Sequence, residues 1–511
     1  MRIVVFLPLL LPWTAAALFA EQPCGNLTAL KLPDVTITSA ESVAAGPFTP
    51  PGARAAAPIN LPAFCRVIGY VRPEVNFEAW LPANWNRKFL MVGNGGLAGT
   101  ISYAAMAAPL NSGYATASTD TGHVADADGH WALGHMERVI DFAHRGVHVT
   151  AQASKGIIRA FYEAPPAHSY FNGCSQGGQE ALTESQRYPL DFDGIIAGDP
   201  ANNWTRLTIG GHLWITEALL EEPGSYIPAG KTKIIGDAVY ALCDGLDGIR
   251  DGILNDPRGC HFDPSVLLCR NGDAPDCLTA AQVATVKKIY QGARTSTGEQ
   301  IFPGILPGGE AGPGGWTTWI SGINQERPGS HTTLGFPFWR NIVFEDPNWN
   351  VRSFRFDRTQ DQDSDVDFVD SKLGPIFNNM NPDLTAFQSR GGKLIQYHGY
   401  SDPDISPLNS INYYESVEKT VGDPRSFYRL FMVPGMLHCR GGPGPDIFNA
   451  LASLEQWVEQ GKAPEEIIAS HATGGTVDRT RPLCPFPQQA TWTGKGSTDE
   501  AANFVCSIPK P

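Results

Sequence analysis

The run Gly-Cys-Ser-Gln-Gly at residues 173–177 constrains the fold more than any other stretch of this 511-residue chain. Residues 168–171 before it read as a short strand, and residues 178–185 after it suit a helix. A strand, a tight Gly-x-Ser-x-Gly turn and a helix together form a nucleophile elbow, in which a strained turn lifts the serine hydroxyl out of a sheet. The pattern therefore predicts that Ser175 is a nucleophile. A plain turn serine is the alternative, because the bare motif also occurs by chance.

Before residue 203, short apolar runs alternate with helical stretches, and this alternation predicts a mostly parallel sheet. The alternation stops over residues 203–385, where Gly-Pro loops and a cluster of aromatic residues indicate an inserted domain. We therefore predict an α/β fold whose core is built from residues 21–202 and 386–511. The predicted strands are 66–71, 77–81, 88–92, 114–118 and 192–197 before the insertion, and 393–397 and 427–433 after it.

A serine hydroxyl needs a base to become a nucleophile at neutral pH, and the base needs a carboxylate that orients it. In α/β-hydrolases these groups follow in the order serine, acid, histidine, each at the C-terminal end of a strand. Asp402 and His438 follow the two predicted strands after the insertion. The sequence therefore predicts a triad of Ser175, Asp402 and His438.

Two further residues compete for these roles. Asp404 is a rival acid, although Asp402 lies nearer the end of its strand. His398 is a rival base, but it lies inside the turn between the strand and the acid rather than on a later loop.

Backbone N–H groups that stabilise an oxyanion are predicted next to the nucleophile and after an earlier strand. The apolar run 88–92 ends in a glycine-rich turn, and such a turn can direct N–H groups at an oxyanion. We predict that the N–H of Gln176 acts together with that of Gly95 or Gly96. A flexible loop is the alternative for the two glycines.

The N-terminus and the cysteine content predict an exported protein. Arg2, an apolar run over 3–13 and small residues up to Ala20 are typical of a secretory signal peptide over residues 1–20. The apolar run is too short to span a membrane. Ten cysteines, an even number, suit an oxidising compartment. Sequons at Asn26 and Asn203 would accept glycans in a eukaryotic host.

Cys174 precedes the predicted nucleophile and Cys439 follows the predicted base. If Ser175 and His438 touch, these neighbours come within reach of a disulfide. The bridge is favoured by this double adjacency, and two unrelated cysteines are the alternative.

An aspartate-rich loop over residues 243–253 is a candidate cation site. Its carboxylates, together with backbone carbonyls, suit a hard cation such as Ca²⁺, although the spacing is not that of an EF-hand. A charged surface loop is the alternative.

The motif at 173–178, the run Pro-Gly-Met-Leu-His-Cys-Arg-Gly-Gly-Pro-Gly at 434–444 and the aspartate-rich loop together resemble the tannase and feruloyl esterase family. That family also contains the bacterial mono(2-hydroxyethyl) terephthalate hydrolase. The resemblance covers nearly the whole mature chain. It implies an α/β-hydrolase core, a lid inserted after the nucleophile, a structural Ca²⁺ in the lid, and a triad at the positions predicted above. The implied calcium ligands are Asp244, Asp247, Ile249, Asp251 and Ile253, and the implied disulfides are Cys24–Cys65, Cys174–Cys439, Cys243–Cys260, Cys269–Cys277 and Cys484–Cys506.

We therefore expect a secreted serine carboxylesterase that acts on aromatic acid esters, either small ones or those of plant polysaccharides and polyphenols. Feruloyl esterase is the first choice, and tannase or a terephthalate monoester hydrolase is the alternative. A peptidase or lipase is a further rival, but no long apolar lid helix favours a lipase. A binding glycoprotein on a hydrolase fold is disfavoured because no predicted triad member is missing. The net charge of −14 argues against a nucleic-acid partner; no membrane partner is expected, and the oligomeric state is left open.

Overall fold

The computed structural model describes residues 22–51, 58–97, 99–124 and 129–509. The predicted signal peptide lies outside the described residues. Within them, nine strands form one sheet in the order β1-β2-β3-β5-β4-β6-β7-β8-β9. These strands are β1 (Val35–Val43), β2 (Phe64–Val71), β3 (Val75–Pro82), β4 (Lys88–Val92), β5 (Ala115–Thr119), β6 (His168–Cys174), β7 (Gly194–Gly198), β8 (Lys393–Gly399) and β9 (Tyr428–Val433).

The sheet is mostly parallel, as predicted. The strands β1, β2, β3 and β5 lie side by side in that order and pair antiparallel. The remaining pairs, from β5 through β4, β6, β7 and β8 to β9, are all parallel. The central strands are buried on both faces, and every residue of β7 is buried. Parallel strands covered on both sides read as continuous apolar runs, which is why these strands were predictable. The arrangement confirms the α/β-hydrolase fold.

Helices cover both faces of the sheet. On one face, Ile157 and Leu182 pack with Val417 into the main core; on the other, Leu110 and Trp457 pack beneath β4 and β7. In the described residues the α-helices are α1 (Tyr103–Asn111), α2 (Met136–Ile140), α3 (Gly146–Tyr162), α4 (Gln176–Arg187), α5 (Trp214–Leu220), α6 (Ala229–Cys243), α7 (Ala280–Gln291), α8 (Trp316–Trp319), α9 (Ser330–Pro337), α10 (Asp365–Phe377), α11 (Thr385–Ser389), α12 (Pro407–Val421) and α13 (Ala450–Gln460).

Shorter elements complete the described part of the chain. None of its helices has the length and apolar character needed to cross a bilayer. The two-stranded pairs are Gly46–Phe48 with Ile59–Leu61, Ala293–Arg294 with Gln300–Phe302, Ile467–Thr473 with Thr476–Leu483, and Gln489–Trp492 with Phe504–Ser507. The π-helical segments are Asp141–Arg145, Arg206–Leu213 and Phe338–Val343, and the 3-10 helices are Cys24–Ala29, His130–Ala132, Pro257–Gly259, Pro264–Leu267, Val351–Ser353, Pro424–Ser426 and Ala501–Asn503.

The insertion, residues 203–385, is mainly helical and shares an aromatic core with the residues before Ser175. Phe142 makes edge-on contacts with Trp204 and Phe377 of the insertion at centroid distances of 5.8 and 5.9 Å. Gln179 of α4 donates a hydrogen bond to the carbonyl of Phe377 at 3.2 Å. Residues 203–385 therefore pack directly against α4, the helix that follows the turn at 173–177.

All ten cysteines form disulfides within the described residues. One pair, Cys174–Cys439, joins the two halves of the α/β core across a sequence separation of 265 residues. The pairs are those that the family resemblance implies, namely Cys24–Cys65, Cys174–Cys439, Cys243–Cys260, Cys269–Cys277 and Cys484–Cys506.

Candidate active site

Ser175 lies on a sharp turn between β6 and α4, with φ 66° and ψ −122°. A positive φ is unfavourable for a non-glycine residue and costs about 1–3 kcal/mol, so the surrounding structure must hold it. A Cβ atom on Gly173 would lie 2.3 Å from the carbonyl oxygen of Gly177, and one on Gly177 would lie 2.8 Å from that of Asn94. Both glycines of the motif are thus required by close backbone approach.

Hydrogen bonds from the next strand fix this turn. The N–H of Ser175 donates to the carbonyl of Gly198 at 3.0 Å. The carbonyl of Ser175 accepts from the N–H groups of Gln179 at 3.0 Å and Ala201 at 3.2 Å. The elbow is therefore tied to both α4 and the end of β7.

Asp402 and His438 follow β8 and β9 and are hydrogen-bonded to each other. His438 Nδ1 lies 2.8 Å from Asp402 Oδ2, and both side chains are buried. The other oxygen of Asp402 accepts the backbone N–H groups of Asp404 at 2.8 Å and Ile405 at 3.0 Å. Burial opposes the charged form of Asp402, but its interactions with His438 and His398 outweigh burial and hold the pKa of this carboxyl well below its usual range.

The Nε2 side of His438 lies beside Asp404, which lines the same cleft as Ser175. The Nε2 atom has no hydrogen-bond partner among the described residues, so the serine–histidine hydrogen bond is not formed in this structure. Catalytic hydrogen bonds often tighten only when substrate binds. Ser175, Asp404 and Trp319 all line the same cleft. Trp319 packs edge-on against the His438 ring at 4.7 Å, and Asp404 Oδ2 lies 3.5 Å from Nε2.

The Cys174–Cys439 disulfide brings the backbone beside Ser175 close to that beside His438. The two Cα atoms are 6.1 Å apart. Cys439 has a φ of 63°, so the backbone is in the left-handed region directly after His438 as well as at Ser175. The bridge therefore limits how far the two loops can separate.

The two rival residues occupy different positions around the histidine. His398 is fully buried; its Nε2 lies 3.2 Å from Asp402 Oδ2, and its Nδ1 lies 2.7 Å from Ser410 Oγ. It thus contacts the acid and not the cleft. Asp404 faces the Nε2 side of His438, whereas an orienting carboxylate holds Nδ1. This geometry favours Asp402 over Asp404 as the orienting acid.

Charges around His438 favour its protonated form. Burial lowers its pKa, but the carboxylates of Asp402 and Asp404 outweigh burial and raise the pKa of His438 to about 10. The two carboxylates therefore stabilise the imidazolium form of His438.

Of the predicted oxyanion donors, Gln176 and Gly96 lie at the cleft. Gln176 is the first residue of α4, where a backbone N–H has no partner within the helix. Gly96 has a φ of 61°, and Gly95, which is exposed, precedes it on the loop. The structure therefore favours Gly96 over Gly95.

Sequence reasoning missed Glu180, which holds the glycine-rich loop after β4 in place. Its carboxylate accepts the backbone N–H of Asn94 at 2.9 Å, and the carbonyl of Asn94 accepts from Gly177 at 3.0 Å. Burial raises the pKa of Glu180 from 4.5 to about 7. A glutamate on a helix that also carries apolar residues gives no local signal of this long-range contact.

The cleft is mainly apolar and aromatic. Most of its wall comes from the insertion, and its few polar side chains include Thr208, His212 and Asp404. The apolar side chains are Leu97, Ala201, Trp204, Leu207, Trp319, Leu334, Phe338 and Ile405.

The aspartate-rich loop offers oxygen ligands in a compact turn. Asp244 Oδ1 accepts the N–H of Gly252 at 3.0 Å, and Asp247 Oδ1 accepts that of Ile249 at 3.0 Å. Asp251 forms a buried ion pair with Arg481 at 2.6 Å. Carboxylate and carbonyl oxygens are the ligands that Ca²⁺ prefers, so the donor set fits this ion, with Asp251 shared between the loop and Arg481.

Comparisons with known proteins agree over almost the whole chain. The sequence profile of a family described as tannase and feruloyl esterase matches residues 61–507. An uncharacterized esterase of Xanthomonas campestris pv. campestris is 40% identical, with 95% of this chain and 91% of that protein covered. A mono(2-hydroxyethyl) terephthalate hydrolase of Piscinibacter sakaiensis is 33% identical, with 88% and 85% covered. The crystal structure of feruloyl esterase B from Aspergillus oryzae matches with a TM-score of 0.85 at 30% identity, covering 95% of this chain and 99% of that one. The chain therefore belongs to the tannase and feruloyl esterase family.

Proposed function

We propose that this protein is a secreted serine carboxylesterase that hydrolyses esters of aromatic acids through a triad of Ser175, Asp402 and His438. The observation that carries the proposal is the strained elbow at Ser175 on the cleft wall. A disulfide from its neighbour Cys174 reaches the loop of His438, whose buried side chain is paired with Asp402. A structural role for these residues would not account for the strain at Ser175.

In the proposed reaction Ser175 Oγ attacks the carbonyl carbon of the ester and its proton passes to His438. Asp402 holds Nδ1, so Nε2 takes the proton. The N–H groups of Gln176 and Gly96 donate to the developing oxyanion. Collapse of the tetrahedral intermediate breaks the ester C–O bond, and the leaving alcohol receives the proton from Nε2. Water then hydrolyses the acyl-enzyme by the same steps in reverse.

The cleft suggests the class of acyl group. Its aromatic side chains suit a flat ring, which buries well against other rings. No lysine or arginine is among the described residues that line the cleft, so a free carboxylate on the ring, as in a terephthalate monoester, lacks an ionic partner there. A phenolic acyl group such as feruloyl is therefore our first choice. Galloyl is the second candidate, because Thr208 and His212 offer polar contacts to ring hydroxyls.

Two further properties belong to the proposal. We propose that Asp244, Asp247 and Asp251, with the carbonyls of Ile249 and Ile253, hold a structural Ca²⁺. The loop is anchored through the buried Arg481 ion pair and is far in sequence from the triad, so the ion would stabilise the insertion rather than enter the reaction. Secretion is supported by the five disulfides, since such bridges persist in oxidising compartments.

The direct test compares methyl ferulate, methyl gallate and a terephthalate monoester with the wild-type protein and the Ser175→Ala variant. We expect the highest kcat/KM on methyl ferulate and a loss of several orders of magnitude in Ser175→Ala. The matched control is Ser296→Ala, an exposed serine outside the cleft. Mass spectrometry of a quenched reaction should locate an acyl adduct on Ser175.

The choice of acid is tested by two isosteric variants. Asp402→Asn should lower kcat by about 10⁴, as loss of the orienting carboxylate does in related triads, and by far more than Asp404→Asn. The reverse order would move the acid to Asp404, and near-normal turnover in folded Ser175→Ala would refute the whole mechanism.

A further inference from the structure

Three side chains that the proposed esterase reaction does not use as nucleophile, base or orienting acid meet at the wall of the cleft. His212 Nε2 and His331 Nε2 each lie 3.2 Å from Asp404 Oδ1. The two imidazole rings stack, with centroids 4.1 Å apart and planes inclined by 14°. The same nitrogen of each ring thus lies close to one carboxylate oxygen, and Nε2 of His212 also lies 3.2 Å from the carbonyl oxygen of Asp404. One ligand atom from each of the three residues lies within 4.8 Å of the others.

His331 has an unusual environment for a buried histidine. It lies on α9 with 1% of its surface exposed, and neither ring nitrogen has a hydrogen-bond partner among the described residues. Buried polar atoms are normally paired, and an unpaired one costs about 1–3 kcal/mol. Nε2 lies 3.2 Å from Asp404 Oδ1 without hydrogen-bond geometry, so a ligand that contacts both atoms from one side would satisfy this nitrogen.

We propose that His212, His331 and Asp404 form a binding site for a divalent transition-metal ion such as Zn²⁺, with a fourth position open to the cleft. Metal–ligand distances of about 2.0–2.1 Å place neighbouring ligand atoms of a tetrahedral site roughly 3.3 Å apart. The distances from Asp404 Oδ1 to His212 Nε2 and to His331 Nε2, 3.2 Å each, match this separation between neighbouring ligand atoms. Two imidazoles and one carboxylate suit Zn²⁺, Co²⁺ or Ni²⁺, whereas Ca²⁺ takes oxygen ligands. The site is therefore distinct in chemistry from the aspartate-rich loop.

The site adjoins the proposed catalytic groups. His212 and Asp404 line the cleft that contains Ser175, and Asp404 Oδ2 lies 3.5 Å from His438 Nε2. An ion held by Asp404 Oδ1 would stand at the cleft wall, with its open position directed at bound water or a substrate oxygen. Occupancy should therefore hinder access of the ester to Ser175, and added Zn²⁺ should inhibit hydrolysis reversibly.

The experiment measures metal binding without relying on activity. Zn²⁺ is titrated calorimetrically into the Ser175→Ala variant, with excess Ca²⁺ present so that the aspartate-rich loop stays saturated. We expect one Zn²⁺ per chain, and visible d–d bands typical of a four-coordinate ion when Co²⁺ replaces Zn²⁺. His212→Gln and His331→Gln should each weaken binding on the order of 100-fold, since loss of even an outer-shell partner costs 10–100-fold. The matched control is His135→Gln, an exposed histidine paired with Glu137, which should bind like the parent.

Because the binding test uses a protein without the proposed nucleophile, its result is independent of the esterase mechanism. Unchanged Zn²⁺ affinity in both His212→Gln and His331→Gln would overturn the site. If either variant is unfolded at the temperature of the titration, the Co²⁺ spectrum of the Ser175→Ala protein is used instead. Absence of four-coordinate bands in that spectrum overturns the proposal.

Discussion

The buried carboxyl of Glu180 should make the stability of this protein fall as the pH rises through neutrality. Glu180 has 1% of its surface exposed, and burial raises its pKa from 4.5 to about 7 in the folded state. At pH values between 4.5 and about 7, the Glu180 carboxyl is therefore protonated more often in the folded chain than in the unfolded chain. Stability therefore declines as the pH rises from about 4.5, and the decline is complete above about 7.

The size of the effect follows from the two pKa values. Each unit is worth about 1.4 kcal/mol, so the whole shift corresponds to about 3 kcal/mol. About 2.5 kcal/mol of this falls between about pH 5 and about pH 8. The Glu180→Gln variant cannot ionise, and its amide oxygen can still accept the N–H of Asn94. Relative to wild type, the variant should therefore gain about 2.5 kcal/mol over this interval.

Thermal melting of both proteins across the pH range measures this difference. With an unfolding entropy of about 2 cal/mol/K per residue, a chain of this length shifts its Tm by about 1 °C per kcal/mol, so a relative gain of 2–3 °C is expected. Groups common to both proteins cancel in the comparison. The control is Glu299→Gln, an exposed glutamate, whose curve should run parallel to wild type. Parallel curves for Glu180→Gln would refute the reasoning.

Three other perturbations give separate tests. His398→Ala should lower kcat about 10- to 100-fold by removing a charge-assisted contact to Asp402, and His398→Gln, which keeps a donor, should recover part of the loss; equal losses would contradict a positioning role. Replacing Cys174 and Cys439 together by alanine should cost about 5 kcal/mol of stability at most and about 100-fold in kcat; unchanged kinetics would show that the bridge does not position the triad. Chelation should lower the Tm, and Ca²⁺ but not Mg²⁺ should restore it, because an ion bound only by the folded state stabilises that state. If an Asp247→Asn variant responds to chelation like wild type, the aspartate-rich loop is not the site.

The parts of the fold that were predictable from sequence are those with local causes. The elbow is one, because the crowding at Gly173 and Gly177 acts within five residues, and β6 and α4 flank it where expected. The buried strands are another, because continuous apolar runs mark them. The edge strand β1 was missed, since most of its residues are at least partly exposed and its sequence carries no such run.

The parts of the site that were missed depend on contacts distant in sequence. His212 and Asp404 are 192 residues apart and meet only because the insertion folds over the end of β8. A single histidine in a helical stretch has no pattern around it that distinguishes a ligand from a packed residue. The sequence suggests His398 as a rival base, but only the structure shows that its side chain contacts the acid, Asp402.

The shared aromatic cluster beneath the cleft has a consequence for protein engineering. Trp204 stacks on Phe377 at a centroid distance of 5.4 Å, and both rings contact Phe142, which belongs to the α/β core. A chimera that exchanged residues 203–385 alone for those of a relative would place foreign rings against Phe142. A transplant that carries residues 129–145 together with residues 203–385 would take Phe142 and its partner rings from the same protein. Chimeras made to test whether the insertion sets substrate preference should therefore exchange both segments.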